Sequence, residues 1–159
     1  MPAFRTLQVS IVALIAATSA QAQVTPADVW SALVKAAEET GQTVDVGETD
    51  DRGSRLTLRD ITFNADFPDG QSSIAVAEFV FEALGDGRVS VEMSESYPVA
   101  VALSPSSGES VEILASISHP GAVTIASGTP GAIAYDYEAP SVVFSLQNLV
   151  VDGDPVTAT

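Results

Sequence analysis

The stretch SSIAVAEFVFEAL (residues 72–84) decides the fold class, because it has the length and composition of a β-strand with apolar side chains on both faces. Strict alternation places Phe79 and Phe81 on one face and Val76 and Val80 on the other. A sheet that is apolar on both faces is covered twice or contacts something other than water. We therefore expect one face to meet a helix and the other to meet a second layer, a neighbouring segment or an apolar ligand.

The period of two continues on both sides of this strand, with turn residues at short intervals. The turn segments are residues 50–53, 67–70, 85–87, 104–108, 119–121, 127–131, 139–140 and 152–155. Connections this short favour antiparallel pairing, because parallel strands need a crossover of a dozen or more residues. The pattern predicts a mainly β (α+β) fold, an antiparallel up-and-down β-meander of about 8–10 strands that forms a curved sheet or half-barrel.

Within one predicted strand, residues 54–65, the alternation of apolar and polar residues changes parity. Leu56 and Leu58 share one face, whereas Ile61 and Phe63 have the opposite parity. A bulge or bend near residues 59–60 would bring all four side chains to one face.

A single helix precedes the sheet. Thr25 suits the N-cap, Pro26 the first helical position, and Asp28 the position that completes the cap. Apolar residues then recur at helical intervals, at Val29, Trp30, Leu33, Val34 and Ala37. Gly41 favours a left-handed stop. The sequence predicts a helix over residues 26–40, packed on the sheet.

Residues 1–22 have the form of a secretory signal peptide. Arg5 gives a basic start, residues 7–17 are mostly apolar, and Ala20 and Ala22 form the small-x-small cleavage signature. The apolar stretch is shorter than the ~20 residues of a membrane-spanning helix, so we expect no transmembrane segment after cleavage. We expect a periplasmic protein, with secretion as the alternative. Residues 23–159 would form one domain, the N-terminal portion of a longer β protein, because the repeating pattern stops without a full closing strand.

Charge and cysteine content exclude several function classes. The net charge is −15, and cleavage would leave five basic residues against 21 acidic ones. A field of that sign repels phosphate backbones, so we expect no nucleic-acid partner. The chain has no cysteine, which excludes thiol nucleophiles and thiolate metal sites.

The sequence offers no catalytic or metal-binding motif. His119 is the only histidine, and its position before Pro120 and Gly121 is typical of a turn exposed to water. The Asp-Gly pairs suit tight hairpins and do not match EF-hand spacing. We expect no catalytic residues, metal or cofactor, and surface ion pairs for Arg52, Arg55 and Arg59.

The one feature that points to binding is the apolar sheet face. Phe79, Phe81, Val91 and Met93 are the candidate residues for an apolar, lipid-like ligand or an envelope protein. The leading hypothesis is a non-enzymatic interaction or ligand-binding module. One alternative is a carboxylate-based secreted hydrolase whose site is completed by C-terminal sequence. Another is a truncated gene product without activity.

Several segments also carry a resemblance to a known family. They are VTPADVW (24–30), AAEETGQTV (36–44), GDGRVSVEM (85–93), ISHPG (117–121), IASGTPG (125–131) and LVVDGDP (149–155). Over nearly all of residues 24–155 the chain resembles the N-terminal part of the bacterial family called domain of unknown function 2125. The resemblance implies an exported Gram-negative protein belonging to a longer chain, and it supplies no catalytic residues. The architecture also loosely resembles AsmA-type envelope proteins, whose β-grooves are thought to handle lipids.

Overall fold

A computed structural model describes residues 23–106 and 108–156, so the expected signal peptide and its cleavage residues Ala20 and Ala22 lie outside the described residues. The elements are α1 (Pro26–Glu39), β1 (Gln42–Asp51), β2 (Arg55–Phe67), β3 (Gly70–Ala83), β4 (Val89–Met93), β5 (Ser96–Leu103), β6 (Val111–Ser118), β7 (Val123–Thr129), β8 (Ala132–Glu138), β9 (Val143–Val151) and β10 (Asp154–Pro155). The predicted mainly β fold with one N-terminal helix is confirmed.

The helix begins and ends as its sequence predicts. The Asp28 backbone N–H donates to the Thr25 hydroxyl at 3.2 Å, and the Thr25 N–H donates to the Asp28 carboxylate at 2.9 Å. This capping box satisfies two amide groups that the first turn leaves without helical partners. Gly41, with φ of +81°, ends the helix one residue after the Thr40 C-cap.

All strand pairs within residues 23–106 and 108–156 are antiparallel, and the sheet that they form is not closed. β1 pairs with β2, and β2 pairs with β3 along most of its length. The first half of β3 then pairs with β5, and the second half pairs with β4. From β5 the order continues through β6 and β9 to β10, and from β4 it continues through β7 to β8.

Three pairs of consecutive strands each run in one direction across the sheet with an interruption between them. We call each such pair a pass. β4 and β5 follow one another along the same edge of β3, β6 and β7 lie along the next edge, and β8 and β9 along the one after. The meander therefore runs in long antiparallel passes. Hairpin reversals at residues 119–121 and 139–140 were expected from their Pro and Gly content, and this expectation is wrong. Those residues interrupt a pass, and the chain continues in the same direction beyond them.

The interruptions lie side by side and form a crease across the sheet. The crease comprises Gly47, Asp60, Ala77 and the segments 94–95, 119–122 and 139–142. Hydrogen bonds connect its neighbouring parts: the Ser94 N–H donates to the Glu78 carbonyl at 3.0 Å, and the His119 N–H donates to the Glu95 carbonyl at 2.8 Å. Several neighbouring passes are therefore interrupted at one level of the sheet.

At the crease, the alternation of side chains along β2 and β3 also changes, so that residues of opposite parity lie on the same face of the sheet. Asp60 has φ of +53°, a left-handed conformation that reverses the alternation without a shift in register. Leu58 and Ile61 therefore both lie in the core, which confirms the predicted bend. On β3, Val76 and Phe79 likewise lie in the same core. The expectation that β3 is apolar on both faces is wrong, because it assumed uninterrupted alternation.

The core lies between α1 and the sheet. The Trp30 ring centroid lies 6.1 Å from that of Phe79 and 6.0 Å from that of Phe81, and the two phenylalanine rings stack at 5.7 Å. Such aromatic pairs add about 0.5–1.5 kcal/mol beyond the apolar area that they bury. The buried core cluster is Val24, Val29, Leu56, Leu58, Ile61, Val76, Phe79, Phe81, Val89, Val91 and Ala126.

Candidate functional site

The four residues expected to bind an apolar ligand belong to the core. Phe81 is fully buried, Phe79 and Val91 are 7% and 8% exposed, and Met93 packs against them. Trp30 of α1 covers both phenylalanines. The structure therefore replaces the expected groove at these side chains with helix-on-sheet packing, and a ligand would have to displace the helix to reach them.

The same face of the sheet continues beyond the helix. α1 packs on β1, β2 and β3. Phe63 and Ile74 lie opposite one another and pack against the core, and their row extends to Val99 on β5 and Leu146 on β9. Residues directly opposite one another on neighbouring strands share a face. The core face thus runs on through β5, β6 and β9.

We call this region the uncovered apolar face. It comprises Val99, Val101, Leu103, Val111, Ile113, Phe144, Leu146, Leu149 and Val151. The residues on β5 and β6 are half-buried by one another, whereas Phe144 is 65% exposed and Leu146 is 57% exposed. Among residues 23–106 and 108–156, α1 contacts β1, β2 and β3, and it has no comparable contact with β5, β6 or β9.

The opposite face of the same strands forms a shallow polar groove. Asn64, Ser73, Ala100, Leu114 and Asn148 form one row across it. The carboxylates of Asp66 and Glu112 and the amide of Gln71 lie in the next row, and the open cavity has a volume of about 670 Å³. Amide and carboxylate groups can hydrogen-bond a polar ligand. The described part of the groove contains no basic or nucleophilic cluster.

The three clustered arginines form ion pairs, as predicted. Arg55 contacts Glu82 at 2.6 Å, Arg59 contacts Glu78 at 3.1 Å, and Arg52 contacts Asp50. The hydrogen bond from Arg52 lowers the pKa of the Asp50 carboxyl. The paired side chains are 44–74% exposed, so water screens their attraction and the pairs add little to stability. They cover Thr57 and Val80, which are buried on the outer face of the sheet.

His119 lies in the crease and is 5% exposed. Its ring centroid is 5.7 Å from that of Tyr97, and neither ring nitrogen has a hydrogen-bond partner among the described residues. The expectation of an exposed turn histidine is wrong, because the interrupted pass holds this residue beneath Tyr97. Burial, and then the nearby Tyr137, raises the pKa of the Tyr97 hydroxyl. A buried imidazole without a hydrogen-bond partner is unusual in folded proteins.

The acidic turns have local structural roles. Asp152 and Gly153 both have positive φ, the geometry of a type I′ hairpin, and the Asp152 carboxylate accepts from the Ser110 N–H at 2.7 Å. Asp86 pairs with Arg88 at 2.7 Å. In the described ranges, no three His, Cys, Asp or Glu side chains are grouped closely enough to hold a metal ion.

A search for helices that could cross a bilayer finds none among the described residues. Comparisons with protein-family models, curated proteins and solved structures find no match to this chain. The resemblance to the domain-of-unknown-function-2125 family therefore stays a prediction.

Sequence reasoning missed the uncovered apolar face, although its signal was present. Val99, Val101 and Leu103 alternate with Ala100 and Ala102, and Val111 and Ile113 flank Glu112. This alternation predicts one apolar face for each strand. It does not show where the helix lies, and the position of the helix decides which part of the face is left open.

Proposed function

We propose that the protein is an exported, non-enzymatic envelope module that holds an apolar, lipid-like ligand on the uncovered apolar face. The observation that carries the proposal is the continuation of the core face beyond the helix. Nine apolar side chains of the described residues lie together there, outside the part of the face on which α1 packs. Contiguous apolar surface of this kind marks binding sites in folded proteins.

An acyl chain suits this surface better than a compact ligand does. The face extends along three neighbouring strands, and its lining contains no described charged residue. Each methylene that leaves water contributes about 0.8 kcal/mol, and a flexible chain can follow a curved sheet. The exposed rings and branches of Phe144 and Leu146 would cover the chain from the side of β9. The signal-like N-terminal sequence supports a periplasmic location, where such ligands occur.

Binding of cis-parinaric acid, a fluorescent fatty acid, tests the proposal. Ile113→Asp places a carboxylate in the centre of the uncovered apolar face, and we expect it to weaken binding by about tenfold or more, because the charge would lose water when the chain binds. Leu114→Asp is the matched control, since the neighbouring side chain lies on the opposite face. It should leave the dissociation constant within about twofold.

Circular dichroism of both variants confirms that they are folded. Absence of binding by the processed wild-type protein contradicts the proposal. Equal weakening by Ile113→Asp and Leu114→Asp also contradicts it, because the ligand would then not distinguish the two faces.

A further inference from the structure

We propose that the outer edge of β8 and β9 pairs with an extended segment of another protein that alternates apolar and basic side chains. Among the residues that the structure describes, β8 pairs only with β7, and β9 pairs with β10 only at Val150 and Val151. In the described chain, no strand covers the remainder of this edge. Natural edges are commonly protected by lysine, proline or a bulge, and β8 (AIAYDYE) contains no proline or lysine.

One side of the edge is apolar. Tyr135 lies opposite Ala126 of the core, and Tyr137 lies opposite Thr124, so both rings are on the core face of the sheet. They are 43% and 56% exposed. A strand added to β8 would place alternate side chains next to these rings, since directly opposite residues share a face. Apolar side chains at those positions would bury the rings.

The other side of the edge is acidic. Asp136 and Glu138 alternate with the two tyrosines and are exposed. All five basic residues of the described ranges form ion pairs with other carboxylates, so none neutralises these two. Basic side chains on the added strand would complement both. A second copy of this chain fits poorly, because pairing the same edges would bring together like charges on chains of net charge −15.

A fluorescently labelled peptide that alternates valine and lysine over seven positions, the length of β8, tests this inference. We expect it to bind at low salt, and we expect a valine–glutamate peptide not to bind. Methylation of alternate backbone nitrogens should abolish binding, because strand pairing uses those N–H groups. The double variant Asp136→Lys/Glu138→Lys should weaken binding of the lysine peptide by about tenfold and create binding of the glutamate peptide.

The double variant Asp45→Lys/Asp69→Lys is the control, because it changes the net charge equally at exposed residues of β1 and of the turn between β2 and β3, neither of which pairs with β8 or β9. Its affinity for the lysine peptide should stay within about threefold. Three results would overturn the inference: undiminished binding of the methylated peptide, equal effects of the two double variants, or a wild-type homodimer in sedimentation that the peptide does not dissociate. None of these readouts involves the fatty-acid probe, so this inference and the proposed function can fail separately.

Discussion

Replacement of Phe81 by alanine is expected to lower the free energy of unfolding by about 3–5 kcal/mol, the range for removal of a fully buried phenylalanine. Phe81 is 0% exposed, stacks on Phe79 and contacts Trp30, so its loss opens a cavity between helix and sheet. Urea denaturation followed by circular dichroism measures the effect.

Phe144→Ala is the matched control for this variant, because Phe144 is 65% exposed. The control should change the free energy of unfolding by at most about 0.5 kcal/mol. If Phe81→Ala were as mild as Phe144→Ala, α1 would not cover this part of the sheet. The boundary of the uncovered apolar face would then be wrong, because this face is defined as the part of the core face that α1 leaves open.

The second large effect is expected at the crease. Asp60→Val should lower the free energy of unfolding by about 1–3 kcal/mol, because a β-branched residue is strained at a positive φ of +53°. Asp60→Gly should cost much less, since glycine adopts this conformation freely. Gly47 of the neighbouring strand β1 lies opposite Asp60, and a Cβ atom built on Gly47 would lie 2.9 Å from the Asp60 Cβ.

Thermal unfolding of the two Asp60 variants separates strain from loss of the carboxylate. Both variants remove the charge, and only valine adds strain. A glycine variant as unstable as the valine variant would show that the carboxylate, and not the backbone conformation, holds the bend.

Local signals in the sequence predicted the helix and the bend in β2. Thr25, Pro26, Asp28 and Gly41 each have one favourable local position, and the structure places them there. Leu58 and Ile61 have opposite parity, so uninterrupted alternation would leave one of them in water, which is costly. The strand therefore has to change faces between them. Both features depend on residues close together in the chain.

The corresponding change of face in β3 could not be predicted. Val76 and Phe79 have opposite parity, but small and apolar residues on both sides made uninterrupted alternation equally acceptable. A strand with apolar residues on both faces does not specify its own register or continuity. Residues 119–121 and 139–140 were predicted to reverse the chain direction, because proline and glycine occur both at turns and at interruptions within a strand.

The candidate site depends on tertiary arrangement, and for this reason its location could not be predicted from the sequence. An apolar binding surface was expected at Phe79 and Phe81, which the helix covers. The open part of the face lies on strands that the helix does not reach. The helix spans 14 residues, or about 21 Å at 1.5 Å per residue, and it packs on β1 to β3.

Photo-cross-linking with a fatty acid that carries a diazirine near the end of its chain shows which residues of the sheet contact the ligand. Mass spectrometry of the digested protein locates the adducts. We predict adducts on core-face residues of β5, β6 and β9, above all Val101, Ile113 and Leu149, with competition by unlabelled fatty acid. Adducts confined to Ala100, Ala102 and Leu114 on the polar face, or to α1, would contradict the account.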